Sequence, residues 1–430
     1  MAGYAHAAWQ RIWQMRTSPE VWLLASNLLT RLLGFVVSLL VSRIAGVQAL
    51  GVYAGLLITG ASPTTPVSAV LANNATMLAV KHQGRHRLRD LLLAHVPVLG
   101  LSALVAGMGC WVMMGSSGLL GSGLVSGSTV VLVMVGLVAG QLLTQLIVGL
   151  FHGADLSLRA SLVVSATMVA ALLLAYPMLM WLGLPGILLQ AMAVALLPGL
   201  VLGWMAWRRA GPVPKAVAPL REEAGASFRQ AVPNVLATVA NNATNWVACI
   251  YLAEKFHGHA GLGLVAISLQ WMSLMQLPMS SWGGRVMRAL AHAREQSAKA
   301  FRQEISSQLN RCGAVSAGAA LDMLAISPWV ADLYVVDHEM LGQMFMVNAL
   351  AAALASVNFV YERVFFCLGS QRPWLWVAMG AYVLQLLVTY LLISQTILAV
   401  AVGNLVAIVM VLVLVTLYFR RTLALERSPA

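Results

Sequence analysis

The sequence predicts an all-α polytopic membrane protein of about 12 transmembrane helices, arranged as two six-helix bundles related by a pseudo-two-fold axis along the membrane normal. Three observations predict it. Of 430 residues, 60% are hydrophobic and only 9% charged, whereas a soluble domain carries about 25% charged residues. The apolar residues fall into twelve runs separated by polar gaps. The basic residues sit in those gaps, and nearly all of them in alternate gaps, as membrane topology demands.

Taken in chain order, residues 1–20 read as an interfacial N-terminal segment, because Tyr4–Arg16 alternates aromatics with Arg11 and Arg16. The first bundle is expected over 21–207, with spans near Val21–Ile44, Leu50–Val80, Leu91–Gly115, Val130–Leu150, Ala160–Trp181 and Gly186–Trp207. A linker over 208–229, polar and Pro-rich, divides the chain near its middle. The second bundle is expected over 230–419, with spans near Val232–Ala253, Gly263–Met287, Arg311–Val330, Met340–Leu368, Trp374–Ile393 and Thr396–Phe419. Residues 420–430 form a basic tail. The second and tenth runs are long enough to tilt or break, and Pro63 and Pro66 remove backbone donors from the second.

Orientation follows from the cations. Of 26 Lys and Arg, 23 fall at the termini or in gaps on one side, while Arg43 and Lys255 fall on the other. Positive residues stay inside, so both termini are expected in the cytoplasm of a multi-pass protein of the bacterial inner membrane. Charge so distributed answers to lipid topology and excludes a nucleic-acid partner. The four cysteines all lie in apolar runs without paired spacing, so they read as buried hydrophobes. No metal-ligand cluster, phosphate-binding Gly loop or nucleophile elbow occurs, and no cofactor is expected beyond a coupling H+ or Na+.

The two halves match at one offset. Shifting by 212 residues brings Arg43 to Lys255, Ala49-Leu50-Gly51-Val52 to Gly261-Leu262-Gly263-Leu264, and Pro66 to Pro278. Six spans per half is an even number, so the repeats share an orientation. Transporters of that build bind substrate between the bundles.

The remaining cation is Arg31. It has ten residues of apolar span on either side, roughly 15 Å from each end, near the bilayer midplane. A cation there costs at least about 2.5–3.5 kcal/mol, so it faces a polar cavity or a partner. Asn27, Arg31, Gly34, Ser38 and Ser42 share one helical face. On the seventh span Asn234, Thr238, Asn241, Asn242 and Asn245 make a second polar stripe, and Asn73 and Asn74 add amides on the second span. Such groups either line a cavity or join helices, the latter contributing about 0.6 kcal/mol each. Two acids lie within spans. Asp322 has no opposite charge within a helical turn, and Glu362 has Arg363 and Arg372 nearby. Both are candidate ion-coupling sites, or counter-ions.

The run Thr30-Arg31-Leu32-Leu33-Gly34-Phe35, followed by Ser42-Arg43-Ile44-Ala45-Gly46 and Ala49-Leu50-Gly51-Val52-Tyr53-Ala54, resembles the N-terminal region of the polysaccharide flippases of the multidrug/oligosaccharidyl-lipid/polysaccharide exporter superfamily. Chain length and span count resemble its Wzx-type O-antigen translocases. The resemblance implies movement of an undecaprenyl-pyrophosphate-linked oligosaccharide from the inner to the outer leaflet by alternating access. It also implies cavity cations that meet the anionic carrier, a role only Arg31 inherits by motif. A polysaccharide polymerase complex is a candidate partner, alongside membrane lipid. The peptidoglycan-precursor flippases are similar to S-R-x-L-G-F-x-R-D in the first span, but this chain has no second Arg or Asp there.

Two other readings are weighed. A multidrug antiporter of the same superfamily would favour an acidic cavity, which a midplane Arg opposes. A membrane polymerase or glycosyltransferase needs a sizeable catalytic outer loop, and the outer gaps here are short.

Overall fold

The computed structural model describes residues 19–82, 87–116, 123–208, 217–276, 286, 289–290, 292–368 and 371–425. The interfacial segment before Pro19, the first part of the linker, Pro278 and the last five residues lie outside the described residues. The named elements are α1 (Pro19–Lys81), α2 (Leu88–Ser116), α3 (Gly127–Gly153), α4 (Ser157–Arg208) and α5 (Val217–Trp246), which runs through a π-helical turn at Val247–Leu252 into α6 (Ala253–Met275). They continue with α7 (Ala298–Tyr334), α8 (His338–Leu368), α9 (Gln371–Leu392) and α10 (Ala399–Leu425). No strand occurs among the described residues.

Three glycines break these runs: Gly46 (φ 88°, ψ 165°) in α1, Gly183 (φ 64°, ψ −150°) in α4 and Gly258 (φ 64°, ψ −169°) in α6. These conformations are closed to residues with a Cβ, so glycine decides where the chain reverses. Cut there, the nine continuous runs become twelve helical segments, one for each expected span. Gly46 and Gly258 are themselves 212 residues apart, the offset of the internal repeat.

The chain forms two compact units whose boundary does not follow the linear order. The first is Met1–Ala45 with Gly55–Val239, and the second is Gly46–Ala54 with Ala240–Ala430. Each unit therefore holds a segment from the other half of the sequence.

In the first unit, α1 stays helical through Pro63 and Pro66. A proline at 63 cannot donate to the Thr59 carbonyl, four residues back. That carbonyl instead accepts from the Cys110 Sγ of α2 at 3.5 Å, while the Thr64 hydroxyl donates to Gly60 at 2.5 Å. Neighbouring side chains thus restore the acceptors' partners, the usual remedy for proline in lipid. At one end of the unit a fully buried cluster joins Leu78 and Ala79 of α1, Leu91 and Ala94 of α2, Leu146, Leu150 and Phe151 of α3, and Leu202 and Ala206 of α4. Leu220 and Ala224 of α5 complete it. Further along α5, Phe228 and Val235 pack on Val67, Leu71, Val98 and Val138. The described part of the linker is thus a helical strap lying along the first unit.

Three polar contacts fix this strap. The Asn74 amide donates to the Ala224 carbonyl at 2.9 Å. Lys81 Nζ donates to Glu223 Oε1, and His82 Nε2 lies 2.7 Å from Glu223 Oε2.

In the second unit, α8, α9 and α10 gather around Phe365, whose ring lies 5.0 Å from Phe419, 5.4 Å from Tyr418 and 5.8 Å from Trp374. Helix α7 buries one stripe, Gln308, Cys312, Ser316, Ala320, Met323, Val330, Ala331 and Tyr334. The transplanted segment Gly46–Ala54 meets α6 in a two-fold manner. A Cβ on Gly51 would strike the His259 carbonyl, and a Cβ on Gly263 would strike the Val47 carbonyl. Residues 47 and 259, and 51 and 263, are each related by the same 212-residue shift. One contact is the image of the other.

Candidate functional site

Arg31 lies on α1 before the Gly46 break, in the first unit, and is half-buried. No carboxylate in that unit pairs with its guanidinium among the described residues. Its polar stripe divides in two. Ser38 and Ser42 are buried, and Ser38 donates to the Phe35 carbonyl at 2.8 Å. Thr30 likewise donates to Ser26 at 2.8 Å. Back-bonding of this kind satisfies a hydroxyl within its own helix. Among the described side chains of the stripe, Arg31 is the one without a hydrogen bond inside its own helix. The side chains of Asn27 and Asn234 lie outside the described residues.

The two amides of the second span have different surroundings. Asn73 is exposed, whereas Asn74 is buried and commits its donor to the strap, keeping only a buried Oδ1 without a partner. Other polar groups near them join helices. Thr76 donates to Ala72 and Gly149, Thr144 to Ala195 at 2.6 Å, and Gln141 to the Thr65 hydroxyl at 3.3 Å.

In the second unit, Asn241, Asn242 and Asn245 are brought together as an amide chain. Gln385 Nε2 of α9 donates to Asn245 Oδ1 at 3.0 Å, and Asn245 Nδ2 approaches Asn241 Oδ1 at 3.4 Å. Asn241 Nδ2 in turn approaches Asn242 Oδ1 at 3.4 Å. The chain ends at the π-helical turn, a deformation often found at functional sites. It also borders a cavity of about 20 Å³, room for a single water. Ser268, Asn348, Gln385 and Asn404 supply the other polar lining. The Oδ1 of Asn348 is buried there without a partner, and Asn404 Nδ2 points to the Met272 sulfur at 3.7 Å. These four residues escaped the sequence reading. Their signal was an amide or hydroxyl in mid-span, without a charged residue or a run of amides beside it to mark it.

The two candidate ion-coupling acids lie apart in character. Asp322 is exposed on α7, beside exposed Leu321, with no hydrogen bond or ion pair to the described residues of its unit. Glu362 lies 3.4 Å from Arg363, whose guanidinium covers the Phe359 ring at 4.5 Å. Cys110, Cys249 and Cys312 are buried and Cys367 is half-buried, and none of the four is in a disulfide. Among the described residues no group of three His, Cys, Asp or Glu could hold a metal.

Neither a family model nor a curated protein sequence matches the chain. Solved structures do. An inward-facing multidrug resistance MATE family transporter of the MOP superfamily superposes with a TM-score of 0.72 at 14% identity, over 93% of this chain and 96% of that one. The lipid II flippase MurJ, in an inward closed conformation, superposes with a TM-score of 0.68 at 11% identity, over 93% and 87%. A MOP superfamily transporter from Pyrococcus furiosus, described as having a binding pocket of reverse polarity that suggests a different function, gives 0.64 at 14% identity over 96% and 98%. These neighbours are transporters and flippases rather than enzymes. Twelve helical segments, an internal repeat and these superpositions lead to one conclusion: the chain has the fold of the MOP-superfamily transporters.

Proposed function

We propose that the protein is a flippase for a lipid-linked oligosaccharide, carrying an undecaprenyl-pyrophosphate-bound glycan across the bacterial inner membrane for surface-polysaccharide or O-antigen assembly. The observation that carries this reading is Arg31, a mid-span guanidinium without a carboxylate partner in its own unit. A cation so placed favours an anionic ligand and repels a cationic one. The pyrophosphate of the carrier supplies the anion. Asn27, Asn73, Asn234, Asn241 and Asn242 are the amides for sugar hydroxyls, with Asn245 holding the cluster together and Asn74 contributing its free Oδ1. Asp322 is the acid for coupling to a proton or sodium gradient, and Glu362 is the second. The distribution of cations supports a cytoplasmic location for the Lys81 end of α1. A polysaccharide polymerase is the partner that such a product requires.

Likeness to a MATE family transporter favours a second reading, multidrug efflux. One substitution separates the two. In a strain depending on this gene for surface glycan, Arg31→Ala at normal membrane abundance is expected to abolish glycan display, and Arg31→Lys to restore part of it. Unchanged display in Arg31→Ala would remove the anion-binding claim. Raised resistance to cationic drugs on overexpression, with glycan display indifferent to the chain, would establish efflux instead.

A further inference from the structure

At the end of α1, two consecutive side chains converge on one carboxylate. Lys81 takes one oxygen of Glu223 and His82 the other. Two donors meeting two oxygens of a single anion is how proteins hold carboxylate and phosphate ligands. Here the occupant belongs to the same chain. Two described cations nearby are engaged elsewhere, since Arg87 lies 3.6 Å from Asp90 and Arg89 covers the Trp207 ring at 5.7 Å. Lys81 and Glu223 side chains are 65% and 30% exposed, so a water-borne anion reaches the pair without any helix moving. What Glu223 secures is the strap, whose remaining polar tie there is the single Asn74–Ala224 hydrogen bond.

We infer that Lys81 and His82 form an entry site for a phosphate-bearing head group, that Glu223 occupies this site as an internal stand-in, and that an arriving phosphate displaces it and loosens the first turns of α5. This rests on the lipid-linked reading of the substrate. A phosphate carries about −1.5 to −2 charge against −1 for the carboxylate, and offers a third oxygen, so it competes on charge and on hydrogen bonds. Helix α5 continues unbroken to Trp246, beside the amide cavity of the second unit, so the strap and the Asn241–Asn245 chain share one helix.

The test uses the full chain in phosphatidylcholine nanodiscs, with hydrogen–deuterium exchange of the 217–227 segment as readout and inorganic pyrophosphate as probe. Pyrophosphate is expected to raise exchange in that segment well beyond the small rise that chloride gives at equal ionic strength. Glu223→Gln is expected to start with raised exchange and to bind pyrophosphate about threefold tighter, the factor that freeing an exposed ion pair supplies. The double variant Lys81→Gln, His82→Gln, checked for an unchanged thermal transition, is expected to lose the response. Binding no tighter in Glu223→Gln, or a full response in the double variant, overturns the site. Opening by phosphatidylglycerol nanodiscs but not by pyrophosphate assigns the site to bilayer head groups and overturns its entry role. If Arg31→Ala keeps glycan display while the pyrophosphate response persists, only the flippase reading falls.

Discussion

The two segments that cross the boundary between units are held by different physics. Gly46–Ala54, from the first half of the sequence, sits in the second unit with Gly51 and Gly263 each laid against a backbone carbonyl. Val217–Val239, from the second half, sits on the first unit through an exposed ion pair, one amide hydrogen bond and a few apolar side chains. The glycine contacts are steric, backbone against backbone, so added side-chain volume breaks them, although the His259–Glu254 pair at 3.7 Å lies beside them. The strap is electrostatic at its tip, so ions, pH and competing anions act on it while modest changes of volume do not. One end of the chain's exchange is built to stay, the other to be released.

The largest effect is expected at the crossing. Gly51→Val and Gly263→Val each place atoms where backbone stands, and backbone cannot swing aside as a side chain can. Overpacking of this kind costs about 1–3 kcal/mol or more, visible as a lower thermal transition in detergent. The double variant should cost less than the sum of the two, because the first methyl already parts the helices and the contacts are neighbours. Strict additivity would show that the two contacts are not one crossing.

Next comes the amide chain of the second unit. Gln385→Leu leaves Asn245 Oδ1 without its 3.0 Å donor. Asn245 is half-buried beside a water-sized cavity, so the cost should fall at the low end of the about 1–3 kcal/mol of a fully buried orphan, read as a lower thermal transition. Asn74→Ala removes the tie between α1 and the strap and should cost about 0.5–1.5 kcal/mol, with raised hydrogen exchange near Ala224 as its signature.

The smallest effect on stability belongs to Glu223→Gln, because exposed ion pairs contribute about 0–1 kcal/mol. Its signature is dependence on conditions. Lys81, and after it His82, holds the Glu223 carboxyl below the usual carboxylate range. A depressed folded-state value means that the pair's contribution is fully present above the ordinary carboxylate pKa, about 4.3, and is lost as pH falls through the lower value. The carboxylate's own contribution to strap protection should therefore persist down to the ordinary carboxylate range and fall only in stronger acid. Added salt should weaken the strap in the native chain and leave Glu223→Gln unchanged. If salt moved the Gly51 crossing as much as the strap, the contrast between the two regions would fail.

Several of these features were legible in the sequence for simple reasons. Apolar runs of span length declare themselves because lipid imposes the same requirement on every residue of a span. Gly51 and Gly263 were visible as a repeat, since duplication preserves spacing, whereas Gly46 and Gly258, at the same offset, stood out only by their backbone conformation. Asn241, Asn242 and Asn245 were visible as a stripe because helical period places them together. The Asn74 amide was read with Asn73 as substrate-facing, and only the packing of α5 shows that its donor is spent on Ala224. His82 meets Glu223, 141 positions later, at 2.7 Å, a pairing that only the fold provides.

The sequence by itself determined the fold class, the helical segments and the turns between them. Hydropathy, helical period and the conformational freedom of glycine act within a few neighbouring residues, so a linear reading captures them. Only the tertiary structure decided that the halves exchange segments, that Gly51 and Gly263 stand on each other's helices, and that Asn348, Gln385 and Asn404 share a cavity. Those facts depend on pairs of residues far apart in the chain. No local energy term encodes them; they follow from which helix faces fit together once the spans are formed.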